Sequence, residues 1–90
     1  MKLDKTFTAQ LQKSTAKGGH TYVIWPDSAS FFETRGLVKV AGTMDGHSFK
    51  SSFMPLGDGN HKLPVKAEIR NSIDREVGDQ IVVRLTERLN

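Results

Sequence analysis

Gly36-Leu37-Val38-Lys39-Val40-Ala41-Gly42-Thr43-Met44-Asp45-Gly46-His47-Ser48-Phe49-Lys50-Ser51-Ser52-Phe53-Met54 reads as two strands joined by a two-residue turn. Asp-Gly is the dipeptide a type I′ turn prefers, because both central positions need positive φ. A loop of that length sets the register. Met44 falls opposite His47, Gly42 opposite Phe49, Val40 opposite Ser51 and Val38 opposite Phe53. Strand side chains alternate between faces. One face therefore carries Val38, Val40, Phe49 and Phe53 and must meet a core. Gly42 lies under Phe49, which predicts a ring resting on bare backbone. The other face carries Leu37, Lys39, Ala41, Thr43, Ser48, Lys50, Ser52 and Met54 and should meet solvent or a partner. Met44, at the tip, reads as a satellite contact.

Before this hairpin, Thr6 to Lys13 alternates, with Phe7, Ala9 and Leu11 on one face, the mark of a half-buried strand. Ala16-Lys17-Gly18-Gly19-His20 is a turn. Thr21 to Trp25 is apolar on both faces and should be more deeply covered than the first strand, with Trp25 a core or half-core residue in preference to a base-stacking platform. Pro26 ends that strand. Pro26 to Glu33 predicts a short helix or a pair of turns, with Ser30 and Glu33 at capping-box spacing, Asp27 or Ser28 as the other cap, and Gly36 as its stop.

After the hairpin, Pro55 to Asn60 is a loop and Lys62 to Val65 is extended. Lys66 to Ile73 is a helix, with Val65, Ile69 and Ile73 on one face. Val77-Gly78-Asp79 turns the chain into a last strand, Gln80 to Leu85 or Thr86, with Ile81, Val83 and Leu85 inward. The expected fold is mainly β: a small closed or double-split β-barrel with one or two short helices, since closure removes exposed edges. Residues 1–90 are expected to form a single domain.

The ordered set Trp25-Pro26, Arg35 to Gly46, Gly57-Asp58-Gly59-Asn60-His61, Leu63-Pro64-Val65 with Ile69-Arg70, and Val77-Gly78-Asp79 resembles domain-of-unknown-function family 1905, a set of small, mostly bacterial domains. The resemblance implies a double-split barrel like that of AbrB-like regulators. Some members carry a further C-terminal helical domain linked by name to bacteriocin protection, which is not expected within this sequence up to Asn90. The family brings no catalytic residues to carry over.

The net charge of +3 and basic pI permit a polyanionic partner without demanding one. Acids and bases alternate, as on a mixed, soluble surface. There is no cysteine, hence no disulfide framework and no thiolate chemistry, in agreement with a cytoplasmic setting. Met1 to Lys5 leads into no apolar run of the kind a secretory signal has.

His20, His47 and His61 sit in or beside turns and read as solvent-facing, with no zinc spacing between them. Gly57-Asp58-Gly59-Asn60 lacks the Lys-Ser or Lys-Thr of a P-loop and the closing Glu of a calcium loop. No Ser lies in a nucleophile elbow, and no His is tied to a nearby acid. The cationic set Lys39, Lys50, Lys62, Lys66 and Arg70 forms the candidate anion or nucleic-acid surface. Lys39 and Lys50 share the outer hairpin face, and Lys66 and Arg70 are four apart on the helix. The competing reading is a solvated helix in which Arg70 pairs with Asp74 and Glu68 offsets Lys66. The sequence thus points first to a non-enzymatic cytoplasmic binding or interaction domain with no cofactor, whose partner is a small molecule, a protein or a second copy. Two alternatives stay open: a nucleic-acid-binding domain using the basic set, and an enzyme whose site is assembled from distant residues.

Overall fold

In the computed structural model Asp45 and Gly46 have φ of 47° and 83°, the pair of positive values a type I′ turn requires. The hairpin they join is β4 (Val38–Met44) with β5 (His47–Pro55). Its register is the expected one at all four pairs, from Met44↔His47 to Val38↔Phe53. The structure describes residues 1–15, 20–57 and 60–90. Most of the Ala16–His20 turn and the middle of the Gly57–Asn60 loop lie outside the described residues.

Around the hairpin run β1 (Lys2–Gln10), β2 (Gln12–Lys13), β3 (Thr21–Ile24), α1 (Ser28–Phe32), β6 (His61–Pro64), α2 (Ala67–Ile73) and β7 (Gln80–Arg88). The strands form one antiparallel sheet in the order β1-β7-β4-β5-β6-β3-β2. It curls into a half-barrel. The expectation of a closed barrel is corrected here, and the reason lies at Leu11. The β1 ladder with β7 ends at Gln10 and the β2 ladder with β3 begins at Gln12. Between them Leu11 turns its N–H to Asp79 and its carbonyl to Gly78. The two edges of the sheet are joined by chain, not by a ladder.

The inner face holds Val23, Val38, Val40, Met44, Phe49, Phe53, Leu63, Ile81, Val83 and Leu85, all buried, with Val65 and Ile69 capping it from the α2 side. Met44 is fully buried, so it is core and not a satellite contact: it pairs with Val83 on β7 as well as with His47. Trp25 is also core. It stacks on Phe7 with ring centroids 4.6 Å apart and planes 7° apart, and meets Phe32 and Phe53 edge-on or tilted.

Gly42 has a different role from the one expected. Pairing of β4 with β7 skips Thr86, since Ala41 faces Glu87 and Gly42 faces Leu85. This bulge presses β7 onto Gly42. A Cβ there would overlap the Arg84 carbonyl oxygen and lie 3.0 Å from its carbon. The close approach of backbone to backbone, more than the Phe49 ring, demands glycine.

α1 ends at Glu33, which adopts the left-handed conformation at φ 56°, not at Gly36. With five residues the helix places Ser30 in its middle, so the Ser30–Glu33 capping box does not form, and Asp27 holds the N-cap position without a side-chain bond. Asp74 closes α2 in the same left-handed way. The hairpin tip is tied down by Asp45, whose carboxylate accepts from the Val82 N–H at 2.7 Å and from Arg75 Nε at 2.9 Å. That hydrogen bond, with the charge behind it, raises the Arg75 guanidinium above its ordinary pKa.

Candidate functional site

One proline shapes the site. The Val65 N–H donates to the Thr21 carbonyl, so residues of that parity in β6 turn their backbone groups toward β3. Pro64 therefore faces β5, and a proline has no N–H to give. Pairing of β6 with β5 is accordingly confined to Met54↔Lys62 and Pro55↔His61. Beyond that point the strands part, β6 stays with β3 through Tyr22↔Pro64, and a groove opens on the outer face.

The groove is a concavity of about 400 Å³ lined by His20, Tyr22, Met54, Lys62, Pro64 and Lys66. A second concavity of about 310 Å³ adjoins it, sharing His20, Pro64 and Lys66 and adding Thr21, Val65, Ala67 and Arg70. The first has an apolar floor made by Tyr22, Met54 and Pro64, all half-buried. The second is walled by α2. Among the described residues no carboxylate lines either of them.

The cations differ in how they are held. Lys62 lies with its Nζ 5.7 Å from the centre of the Tyr22 ring, a cation–π contact worth about 0.5–1 kcal/mol at such an accessible place. Arg70 donates its Nε to the Val65 carbonyl at 3.3 Å. That fixes the stem of the side chain and leaves the terminal nitrogens free among the described residues. The expected Arg70–Asp74 pair is not formed: the ion pairs among the described residues are Arg75–Asp45 and Arg84–Asp4. Lys66 is exposed at the N-cap position of α2.

Of the five expected site residues, the fold brings Lys62, Lys66 and Arg70 to the groove. Lys39 and Lys50 are exposed on the same outer face but lie outside it, on β4 and β5. Lys50 lines a separate open depression with Ala41, Ser48 and Thr86. Sequence reasoning missed His20, Tyr22, Met54 and Pro64. The available signal is the two-sided apolar pattern of β3, which is more covered than β1, as expected, but not equally on its two faces. Its inner residues Val23 and Trp25 are buried, while Tyr22 and Ile24 are only half covered.

The histidines also divide. His20 is exposed at the groove and His47 is half-buried. His61 is fully buried, which corrects the solvent-facing expectation. Its Nε2 lies 2.7 Å from the Gly36 carbonyl and its Nδ1 2.9 Å from Ser28 Oγ. A carbonyl only accepts, so Nε2 carries a proton, and in the neutral ring Nδ1 accepts from the serine hydroxyl. Ser28 is itself fully buried. The pair has the order of a nucleophile and its base, yet its third partner is a carbonyl and no solvent reaches it. Its work is to join α1, the start of β6 and the entry to β4. Among the described residues no three His, Cys, Asp or Glu side chains gather as metal ligands.

A curled antiparallel half-barrel with a cation-flanked groove on its outer face is the class of domain these features define. The chain belongs to domain-of-unknown-function family 1905, whose family model matches residues 7–85. No curated protein matches it. No helix among the described residues is long and apolar enough to cross a membrane.

Proposed function

We propose that this domain is a binding module whose ligand is an organic anion seated in the groove between β3, β6 and α2. The carrying observation is the meeting of an apolar floor, Tyr22, Met54 and Pro64, with three cations, Lys62, Lys66 and Arg70, in concavities that no carboxylate among the described residues lines. Small-molecule sites combine mostly apolar walls with a few placed polar groups, in volumes of about 300–1,000 Å³. A cation cluster with no ion pair among the described residues, beside such a wall, selects a negative group joined to an apolar body. The absence of cysteine from the chain supports the reducing cytoplasm as its setting.

The test uses anilinonaphthalene sulfonate, an apolar body carrying one anion. Its fluorescence should rise and saturate with the native domain, and binding should weaken as salt screens the lysines. Lys66→Ala/Arg70→Ala and Tyr22→Ala should each reduce the affinity while the far-UV circular dichroism stays native. Binding that none of these variants changes places the dye elsewhere and ends the proposal.

A further inference from the structure

We infer that the anion this groove is built for is a nucleotide unit, with its base on Tyr22 and its phosphate between Lys66 and Arg70. This rests on the groove being an organic-anion site at all, and narrows it to one ligand class.

The first observation is the two-part shape. The concavity floored by Tyr22, Met54 and Pro64 and the one walled by Arg70 and Ala67 share Pro64 and Lys66. A ligand that fills both is flat and apolar at one end and anionic at the other. The second observation is the Tyr22 ring. Phe7, Trp25, Phe31, Phe32 and Phe53 pack on one another in one cluster. Tyr22 projects from the other face of the sheet, and Lys62 lies over its ring. Tyr22 and Lys62 both line the concavity, so a base that stacks on the ring takes the place of the Lys62 ammonium and leaves that cation free to meet the phosphate. Stacking of an aromatic base there is tolerant of base identity, because every base has a π-face. The third is Arg70. Its Nε is taken by the Val65 carbonyl, so its terminal nitrogens are offered with the stem already ordered, the arrangement that suits a phosphate.

The outer face beyond the groove bears on where the nucleotide comes from. From β4 across β5 and β6 to β3, the charged residues on that face are Lys39, Lys50 and Lys62. Either a free mononucleotide fills the groove, or one unit of a single strand does so while Lys50 and Lys39 meet neighbouring phosphates.

Amide chemical shifts of the labelled domain, titrated with adenosine monophosphate, adenosine, inorganic phosphate and an eight-residue oligothymidylate at low and physiological salt, test this. The monophosphate should bind at least about tenfold more tightly than adenosine or phosphate, a step of about 1.4 kcal/mol, with shifts centred on Tyr22, Lys62 and Arg70. Tyr22→Phe should keep the affinity and Tyr22→Ala should lose about tenfold, as expected for stacking. An oligonucleotide that binds more tightly than the monophosphate, with a salt slope reduced by Lys39→Ala/Lys50→Ala, identifies the strand as the source. Equal affinities that this double variant leaves unchanged identify the free nucleotide. If the naphthalene sulfonate occupies the groove and neither nucleotide shifts an amide there, the nucleotide assignment is wrong and the organic-anion reading stands. If none of the probes binds, both fall.

Discussion

Replacing Gly42 by alanine should be the most damaging small change in this domain. The added Cβ overlaps the Arg84 carbonyl oxygen and sits 3.0 Å from its carbon and 3.1 Å from Leu85 Cα. All three atoms are backbone, so no side chain can swing away. β7 must retreat, and it is held by β1 on its far side through pairs from Lys2↔Glu87 to Gln10↔Gln80. Overpacking of this kind costs about 1–3 kcal/mol, and each ladder hydrogen bond stretched beyond use adds about 1 kcal/mol. With one such bond lost the sum is about 2–4 kcal/mol, against a total stability of about 5–13 kcal/mol for a domain of this length. The melting temperature should fall by about 8 °C or more. Urea unfolding followed by the fluorescence of Trp25, which is 5% exposed when folded, measures the loss directly. Gly46→Ala is the control. Its Cβ meets nothing within 4 Å, but its φ of 83° is strained for alanine, at about 1–2 kcal/mol. If Gly42→Ala proves milder than Gly46→Ala, the close approach of β7 is not what keeps the glycine, and the Phe49 ring becomes the better explanation.

Ser28→Ala leaves His61 Nδ1 buried without a partner and should cost about 1–3 kcal/mol, whereas His61→Ala also orphans the Gly36 carbonyl and opens a void beside Phe53, costing about 3–5 kcal/mol; a double-mutant cycle by urea unfolding should show the two effects to be strongly non-additive. Pro64→Val supplies an N–H that faces β5, so pairing should extend past Met54↔Lys62, slow amide exchange should appear at position 64, and affinity for the naphthalene sulfonate should fall as the groove narrows; an amide at 64 that exchanges as fast as a free loop would show that the proline is not what parts the strands.

The hairpin was legible because its determinants are local. Asp45-Gly46 admits one turn type and the alternation of Val38, Val40, Phe49 and Phe53 admits one register, so neither depends on the rest of the chain. The last strand was legible for the same reason, with Ile81, Val83 and Leu85 inward and fully buried. What was illegible depends on partners distant in sequence. Gly42 looked like a glycine under an aromatic ring, and only the bulge that skips Thr86 shows the backbone pressed against it. His61 sits beside a glycine-rich loop, the usual setting of an exposed side chain. Its burial follows from Ser28 and Gly36, which are 33 and 25 residues away. The site was half legible. Lys62, Lys66 and Arg70 follow from charge along one segment, but Tyr22 and Met54 join them only through strand pairing that no spacing reveals.

The distribution of polar groups explains why function should be sought on the outside of this sheet. Every buried side-chain nitrogen or oxygen among the described residues has a hydrogen-bond partner. Ser28 and His61 are spent on joining α1 to β6, and apart from Thr21 the other buried side chains are hydrophobic. A ligand entering the core would have to break bonds that already hold the fold, at about 1–3 kcal/mol for each polar group left unmet. The groove asks for no such exchange. Its donors on Lys62, Lys66 and Arg70 face solvent, and the backbone beneath is satisfied on the β3 side and interrupted on the β5 side by the one residue that has no N–H to satisfy. Pro64 thus parts two strands without leaving a donor orphaned, and the opening it makes is lined by cations that form no ion pair among the described residues.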